Sequence, residues 1–215
     1  MEHSKIEYLP PEKIEERSFE IITEELLKRN ISLPKEEELI TKRVIHTSAD
    51  FDYAETLCYS KGAVEILKEL IKNGADIVTD TNMALAGINK KALAKFGGEA
   101  HCFMANEEIA LLAKQRNVTR AAVSMEKAAK IEKPVVFAIG NAPTALIKLY
   151  EMMEKLDWKP AFIIGVPVGF VNVEAAKELI LKTNIPYIIN RGRKGGSNIA
   201  AAICNAVLYQ CEKKF

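Results

Sequence analysis

Residues Lys133 to Asn172 read KPVVFAIGNAPTALIKLYEMMEKLDWKPAFIIGVPVGFVN, an apolar run, a glycine turn and a helix, and then the same pattern begun again. Val135 to Ile139 and Ala161 to Ile164 are short runs rich in β-branched and aromatic residues, bounded by Pro and Gly. Neither alternates apolar with polar, which is the pattern of a strand buried on both faces of a parallel sheet. Between them Leu146, Leu149, Tyr150 and Met153 recur at helical spacing, so the unit reads as β-α-β with an amphipathic crossover helix. In an open α/β sheet ligands sit outside the carboxyl ends of the strands. Here those ends read Gly140-Asn141-Ala142-Pro143-Thr144 and Gly165-Val166-Pro167-Val168-Gly169. Each turn is expected to offer bare backbone N–H groups and a helix N-terminus to an anionic ligand.

Working outward, the remaining chain repeats the alternation. Pro10-Pro11-Glu12 opens a helix running to about Arg29, with Ser18 inside it beside Phe19. A second helix begins near Pro34, carries Leu39, Ile40 and Val44, and leads into the polar run His46-Thr47-Ser48-Ala49-Asp50-Phe51-Asp52. A third runs from Ser60-Lys61-Gly62 to the stop at Asn73-Gly74. Strands follow at Ile77-Val78-Thr79, ending in Asp80, and at Ala100 to Met104, with helical pieces between them from Met83 to Phe96. Asn106 and Thr119 are placed to cap the next two helices. Beyond the quoted stretch come a helix from Val173 to Thr183, the strand Ile185 to Ile189, the loop Asn190-Arg191-Gly192-Arg193-Lys194-Gly195-Gly196-Ser197, and a last helix with a small-residue face. The expectation is a single domain spanning 1–215. It is a three-layer α/β/α sandwich with a mainly parallel, doubly wound, flavodoxin-like five-stranded sheet, on which a helical N-terminal segment, 1–74, packs. The small-residue face is expected to pack closely on the sheet or on another subunit.

The chain has 215 residues, enough for one sizeable core, with 30 basic and 29 acidic side chains and a net charge of +1. That balance argues against a nucleic-acid partner. No stretch approaches the roughly 20 apolar residues of a membrane span. Cys58, Cys102, Cys204 and Cys211 lack paired spacing and read as reduced thiols of a cytoplasmic protein. The histidines are scattered, so metal ligation has little support. The turn after Ile139 lacks the P-loop lysine, and neither G-x-G-x-x-G after a strand nor G-x-S-x-G occurs.

All the strand ends carry small, polar or glycine-rich loops, which points to a wide site for a large ligand with anionic groups around its rim. Arg191, Arg193, Lys194 and the N–H groups of Gly195, Gly196 and Ser197 form the densest basic cluster, with Arg43 and Arg120 as further cations. A solvated basic turn would look the same. His46 is the best acid or base, with Arg43 one turn before it and Asp50 one turn after it on one face if the helix persists. A helix-capping histidine is the plainer alternative. His101 reads as a hydrogen-bonded core residue and His3 as frayed. Asp80 and Asp52 read either as carboxylates for chemistry or as caps.

Taken together, Ser18-Phe19, RVIHTSADFD (Arg43 to Asp52), DTNMALAGI (Asp80 to Ile88), Thr119-Arg120, AIGNAPTAL (Ala138 to Leu146), PAFIIGVPVGFVNVEAAK (Pro160 to Lys177) and GRKGGSNIAAAICNAV (Gly192 to Val207) resemble the precorrin-8X methylmutase family, including its cobalt-precorrin-8 methylmutases. GNAPTAL and GVPVGFV in this order are highly specific. The resemblance implies a cytoplasmic, homodimeric isomerase that moves a methyl group from C-11 to C-12 of a corrinoid precursor. No redox cofactor or external methyl donor is needed, and any cobalt arrives within the substrate. It implies His46 as the proton-transfer residue and Ser18 and Arg43 as substrate contacts. Charge and geometry add Asn141, Thr144, Arg191, Lys194 and Ser197 as holders of peripheral carboxylates. Where relatives often read H-A-T-G-D this chain has His46-Thr47-Ser48-Ala49-Asp50, and where they often have E-S-K it has Glu174-Ala175-Ala176-Lys177. From other classes, a noncatalytic corrinoid carrier and a flavodoxin-like FMN module remain as alternatives.

Overall fold

A computed structural model of the protein describes residues 6–212, so His3 lies outside the described residues. The N-terminal part comprises α1 (Pro11–Lys28), α2 (Glu38–Ser48), α3 (Tyr53–Thr56), a short strand β1 (Leu57–Tyr59) and α4 (Ala63–Lys72). Then come β2 (Asp76–Thr79), α5 (Asn82–Gly87), α6 (Lys90–Ala94), β3 (Ala100–His101), α7 (Glu107–Arg116) and α8 (Arg120–Ala128). The stretch from Lys133 to Asn172 forms β4 (Val135–Ile139), α9 (Pro143–Lys155) and β5 (Phe162–Gly165). The chain closes with α10 (Val173–Leu181), β6 (Tyr187–Asn190) and α11 (Ser197–Glu212).

The sheet has six strands in the order β1-β6-β5-β4-β2-β3. All neighbours are parallel except β1, which pairs antiparallel with β6 through Leu57 opposite Asn190 and Tyr59 opposite Ile188. The expected five-stranded, flavodoxin-like sheet is therefore corrected to a six-stranded mixed one. The edge strand escaped the sequence reading because Leu57, Cys58 and Tyr59 are all half-buried and show neither alternation nor a long apolar run. It also means that the segment before Gly74 contributes a strand as well as helices. The expected second strand shrinks to two residues, and the last strand starts at Tyr187, later than expected.

Every residue of β4 is buried, and successive side chains enter opposite layers. Val135, Phe137 and Ile139 pack with Met125 of α8, Leu146 and Leu149 of α9 and Ile180 of α10. Val136 and Ala138 face the other layer, with Ile22, Ile40, Leu67, Ile203 and Val207 from α1, α2, α4 and α11. This two-sided burial is why β4 and β5 carry no polar alternation. The small-residue face of α11 is covered by the chain itself: Ala200, Ala201, Ala202 and Ala206 are buried, and a Cβ on Gly87 would come within 2.8 Å of Ala201 Cβ. Thr119 caps α8 through Ala122 N at 3.2 Å, whereas the side chain of Asn106 makes no capping bond.

Outside the core, Glu126 of α8 joins three helices by pairing with Arg116 of α7 and Lys148 of α9, both at 2.8 Å. The Arg116 hydrogen bond, helped by Lys148, holds the Glu126 carboxyl down at about 2. Because the folded value lies below the usual one, the stabilisation is present above the ordinary carboxylate pKa and is lost as pH falls toward 2. Glu126→Gln should therefore melt roughly 2–4 °C below the parent at neutral pH. Thermal unfolding across pH should show that gap closing in acid.

Candidate active site

β2 and β4 are neighbours, but the chain leaves β2 toward β3 and leaves β4 toward β5, so the switch point of the sheet lies between their carboxyl ends. Asp80, at the end of β2, is fully buried and accepts the amides of Gly140 at 2.9 Å, Asn141 at 2.8 Å and Ala142. Burial pushes its carboxyl up from the usual value, and the three amides pull it back. The bare N–H groups expected after β4 are thus already satisfied by an internal carboxylate. Asp80 is accordingly a cap for this turn, the structural of its two readings. Gly140 sits so close to α11 that a Cβ there would lie 2.7 Å from Ser197 Cα.

His46 lies in the last turn of α2, exposed, with its ring 5.6 Å from that of Phe19 on α1. Among the described residues its side chain makes no hydrogen bond. The helix stops at Ser48 because Ala49 turns left-handed at φ 54°, so Asp50 falls outside it and the expected His46–Asp50 face does not persist. Asp50 and Asp52 instead both accept from Lys194 Nζ, each at 2.6 Å. That hydrogen bond holds the Asp50 carboxyl below its usual range. Lys194 thereby clamps the end of the histidine helix to the loop after β6. Thr56 supports the same junction by donating to Asn190 Oδ1 at 2.6 Å.

The loop from Arg191 to Gly196 passes over the carboxyl end of β5. Gly196 N donates to Val166 O at 2.9 Å, and a Cβ on Gly195 would stand 2.0 Å from that same oxygen, so only glycine fits. Beneath the loop lies Lys177 of α10, which is 1% exposed and donates to Gly192 O at 2.7 Å and Lys194 O at 2.9 Å. Burial pushes its amine down to about 8. Around this edge several apolar side chains are open to solvent: Met83 is 71%, Phe170 82% and Val171 78% exposed. The Arg193 guanidinium lies 5.6 Å from the Phe170 ring centroid.

The residues singled out in the sequence separate into groups. Asn141, Arg191, Lys194, Gly195 and Gly196 sit on loops at the carboxyl edge, and Ser197, the first residue of α11, shares a 2.8 Å hydrogen bond with Thr81 through its Oγ. Thr144 accepts from Thr119 at 3.0 Å, which places Arg120, an exposed cation at the start of α8, beside the same edge. Ser18 donates to Ile14 O within α1. Arg43 is engaged by Glu15 through two hydrogen bonds, at 2.7 and 3.0 Å, and lies against Phe19 and Tyr209. It lines a groove of about 470 Å³ with Leu39, Lys35 and Gln210. Among the described residues no cluster of three His, Cys, Asp or Glu could hold a metal, and no helix is long and apolar enough to cross a membrane. Sequence reasoning missed Lys177 and Asn190. For Lys177 a signal existed, since it shares the apolar stripe of α10 with Val173, Ala176 and Ile180.

Comparison with known proteins follows the same lines as the geometry. The sequence family described as precorrin-8X methylmutase matches residues 13–210. The chain belongs to the precorrin-8X methylmutase family. Over 204 residues it is 42% identical to the cobalt-precorrin-8 methylmutase of Salmonella typhimurium, covering 93% of this chain and 95% of that one. Identity to the cobalt-precorrin-8 methylmutase of Priestia megaterium is 41% over 197 residues, 92% of this chain and 87% of the other. The precorrin-8X methylmutase of Pseudomonas aeruginosa is 36% identical over 84% of this chain and 87% of its own. A solved structure, precorrin-8X methyl mutase from Thermus thermophilus, superposes with a TM-score of 0.82 at 33% identity, covering 93% of this chain and 97% of that one. This methylmutase is thus an isomerase of the cobalamin pathway, built on an α/β fold shared with that structure.

Proposed function

We propose that this methylmutase acts on cobalt-precorrin-8, moving the methyl group from C-11 to C-12 of ring C to give the cobyrinate product. The observation that carries the reading is the junction at the carboxyl edge, where Lys194 ties the end of the exposed His46 helix to a basic glycine loop. A proton from the His46 imidazole, placed on the ring-C nitrogen, draws electron density from the migrating centre and eases a formally [1,5]-sigmatropic shift. The proton returns once the bond to C-11 has broken and the bond to C-12 has formed, so no atom is gained or lost. The cobalt-containing substrate is favoured because the relatives at 41–42% identity carry that name.

In this reading the macrocycle's apolar body lies against Met83, Phe170 and Val171, while Arg191, Arg120, Asn141 and the amides around Gly195 to Ser197 meet its peripheral carboxylates. Ser18 and Arg43 act as substrate contacts once their internal partners give way, and Thr144 contributes through its hydroxyl. No cofactor is required, because migration within one molecule needs neither hydride nor a methyl donor, and cobalt travels in the ring nitrogens of the substrate. The enzyme works in the cytoplasm as a homodimer. Since the small-residue face of α11 is covered internally, the groove beside Arg43 and Tyr209 is the better place for a subunit contact.

The test is an anaerobic incubation with cobalt-precorrin-8 and with metal-free precorrin-8X, followed by absorption spectra and mass. Migration alters the conjugation and leaves the mass unchanged. The expected result is a spectral change at constant mass, faster with the cobalt form. Turnover of the metal-free form alone would overturn the cobalt assignment, and tight binding of both without change would indicate a carrier.

A further inference from the structure

Four consecutive carbonyls of the loop after β6 are held from within the protein. Arg191 O accepts from Asn190 Nδ2 at 3.0 Å, Gly192 O from Lys177 Nζ at 2.7 Å, and Arg193 O from Gly169 N at 3.1 Å. Lys194 O accepts from both Lys177 Nζ and Asn190 Nδ2, each at 2.9 Å. The flanking amides are used as well, Arg191 N by Thr56 O and Gly196 N by Val166 O. The four amides between them, of Gly192, Arg193, Lys194 and Gly195, donate to no group among the described residues.

Peptide planarity turns this into a direction. No peptide bond here is cis, and in a trans peptide the C=O and the following N–H point opposite ways. Lys177 is 1% exposed, so the carbonyls of Gly192 and Lys194 that it holds point into the protein. The N–H groups of Arg193 and Gly195, which belong to those same two peptide units, therefore point outward. Arg191 and Arg193, on the same loop, are exposed. An amine keeps two N–H groups even when neutral, the number of carbonyls it serves here, so the arrangement does not depend on its charge.

We infer that Lys177 is a positioning residue for substrate binding: its two buried hydrogen bonds aim the amides of Arg193 and Gly195 at the peripheral carboxylates of the substrate. The nature of that ligand rests on the methylmutase reading above; the aiming of the loop does not. Without the amine, the carbonyl of Gly192 loses its donor and that of Lys194 keeps only Asn190 Nδ2, so both peptides are held less firmly and the carboxylates meet a looser loop. The chemistry at His46 is left alone, because Lys177 meets Lys194 only at its backbone carbonyl, while the ammonium of Lys194 keeps its own hold on Asp50 and Asp52.

The experiment compares Lys177→Met with the parent by hydrogen exchange over residues 191–196, by thermal unfolding, and by steady-state turnover of cobalt-precorrin-8. Exchange of the bonded amides at the loop, those of Arg191 and Gly196 within it and that of Gly169, which is held by Arg193 O, should accelerate while the rest of the sheet keeps its protection. KM should rise about tenfold, the effect of losing roughly one charge-assisted hydrogen bond, with kcat within about twofold of the parent. Unchanged exchange, or a fall in kcat at constant KM, would overturn the assignment. If Lys177→Met does not fold, Lys177→Gln takes its place, with a buried amide too short to reach both carbonyls, and parental exchange and KM in that variant would equally overturn it. Absence of turnover in the parent would sink the methylmutase reading instead, and loop exchange alone would then decide whether Lys177 holds the loop.

Discussion

Replacing His46 with alanine should lower kcat by about 10²–10⁴, the usual span for removing a general acid or base, while a corrinoid still binds. The physical case is the position of the ring. It sits in the last turn of α2, exposed, without a hydrogen-bond partner among the described residues, and steadied only by Phe19 at 5.6 Å. An imidazole with both nitrogens unclaimed is available to give a proton and take it back. Because the side chain is exposed, the substitution should change stability by no more than about 0.5 kcal/mol, so lost turnover cannot be blamed on unfolding. Single-turnover spectra with the variant, run beside an equilibrium binding titration, read both quantities. Parental turnover would remove His46 from the mechanism.

Asp80→Ala carries the largest expected effect on stability. Its carboxylate is the single acceptor for three successive amides, those of Gly140, Asn141 and Ala142, in a site closed to water. Truncation leaves three donors without their acceptor, that of Gly140 buried and those of Asn141 and Ala142 partly so, and opens a void at the switch point of the sheet. The expected cost is about 3 kcal/mol or more. Asp80→Asn keeps one carbonyl oxygen but sets an NH₂ against the remaining amides, so an intermediate loss is expected. Equilibrium denaturation measures both. Parental stability in the alanine variant would mean that the turn after β4 holds its shape without the carboxylate.

These two residues show what was legible in the chain and what was not. His46 stood out from the sequence by its residue type and its motif, and the structure places it on an exposed helix end. The expected face shared with Asp50 is lost, because the left-handed Ala49 ends the helix at Ser48, and backbone termination of that kind leaves no mark in periodicity. In the sequence Asp80 fits a catalyst or a cap, and only the approach of the β4 turn across the switch point decides for the cap.

The amino-acid sequence by itself determined the β-α alternation, the central two-sided burial of β4 and β5 and the family, because apolar runs, helical spacing and glycine turns are local properties that each segment carries alone. The edge strand β1, the covering of the α11 face, the Lys194 clamp and the Lys177 strut were decided only by tertiary structure. Each joins residues far apart in the chain, and the partner of a hydrogen bond or an ion pair is set by which elements the fold brings together.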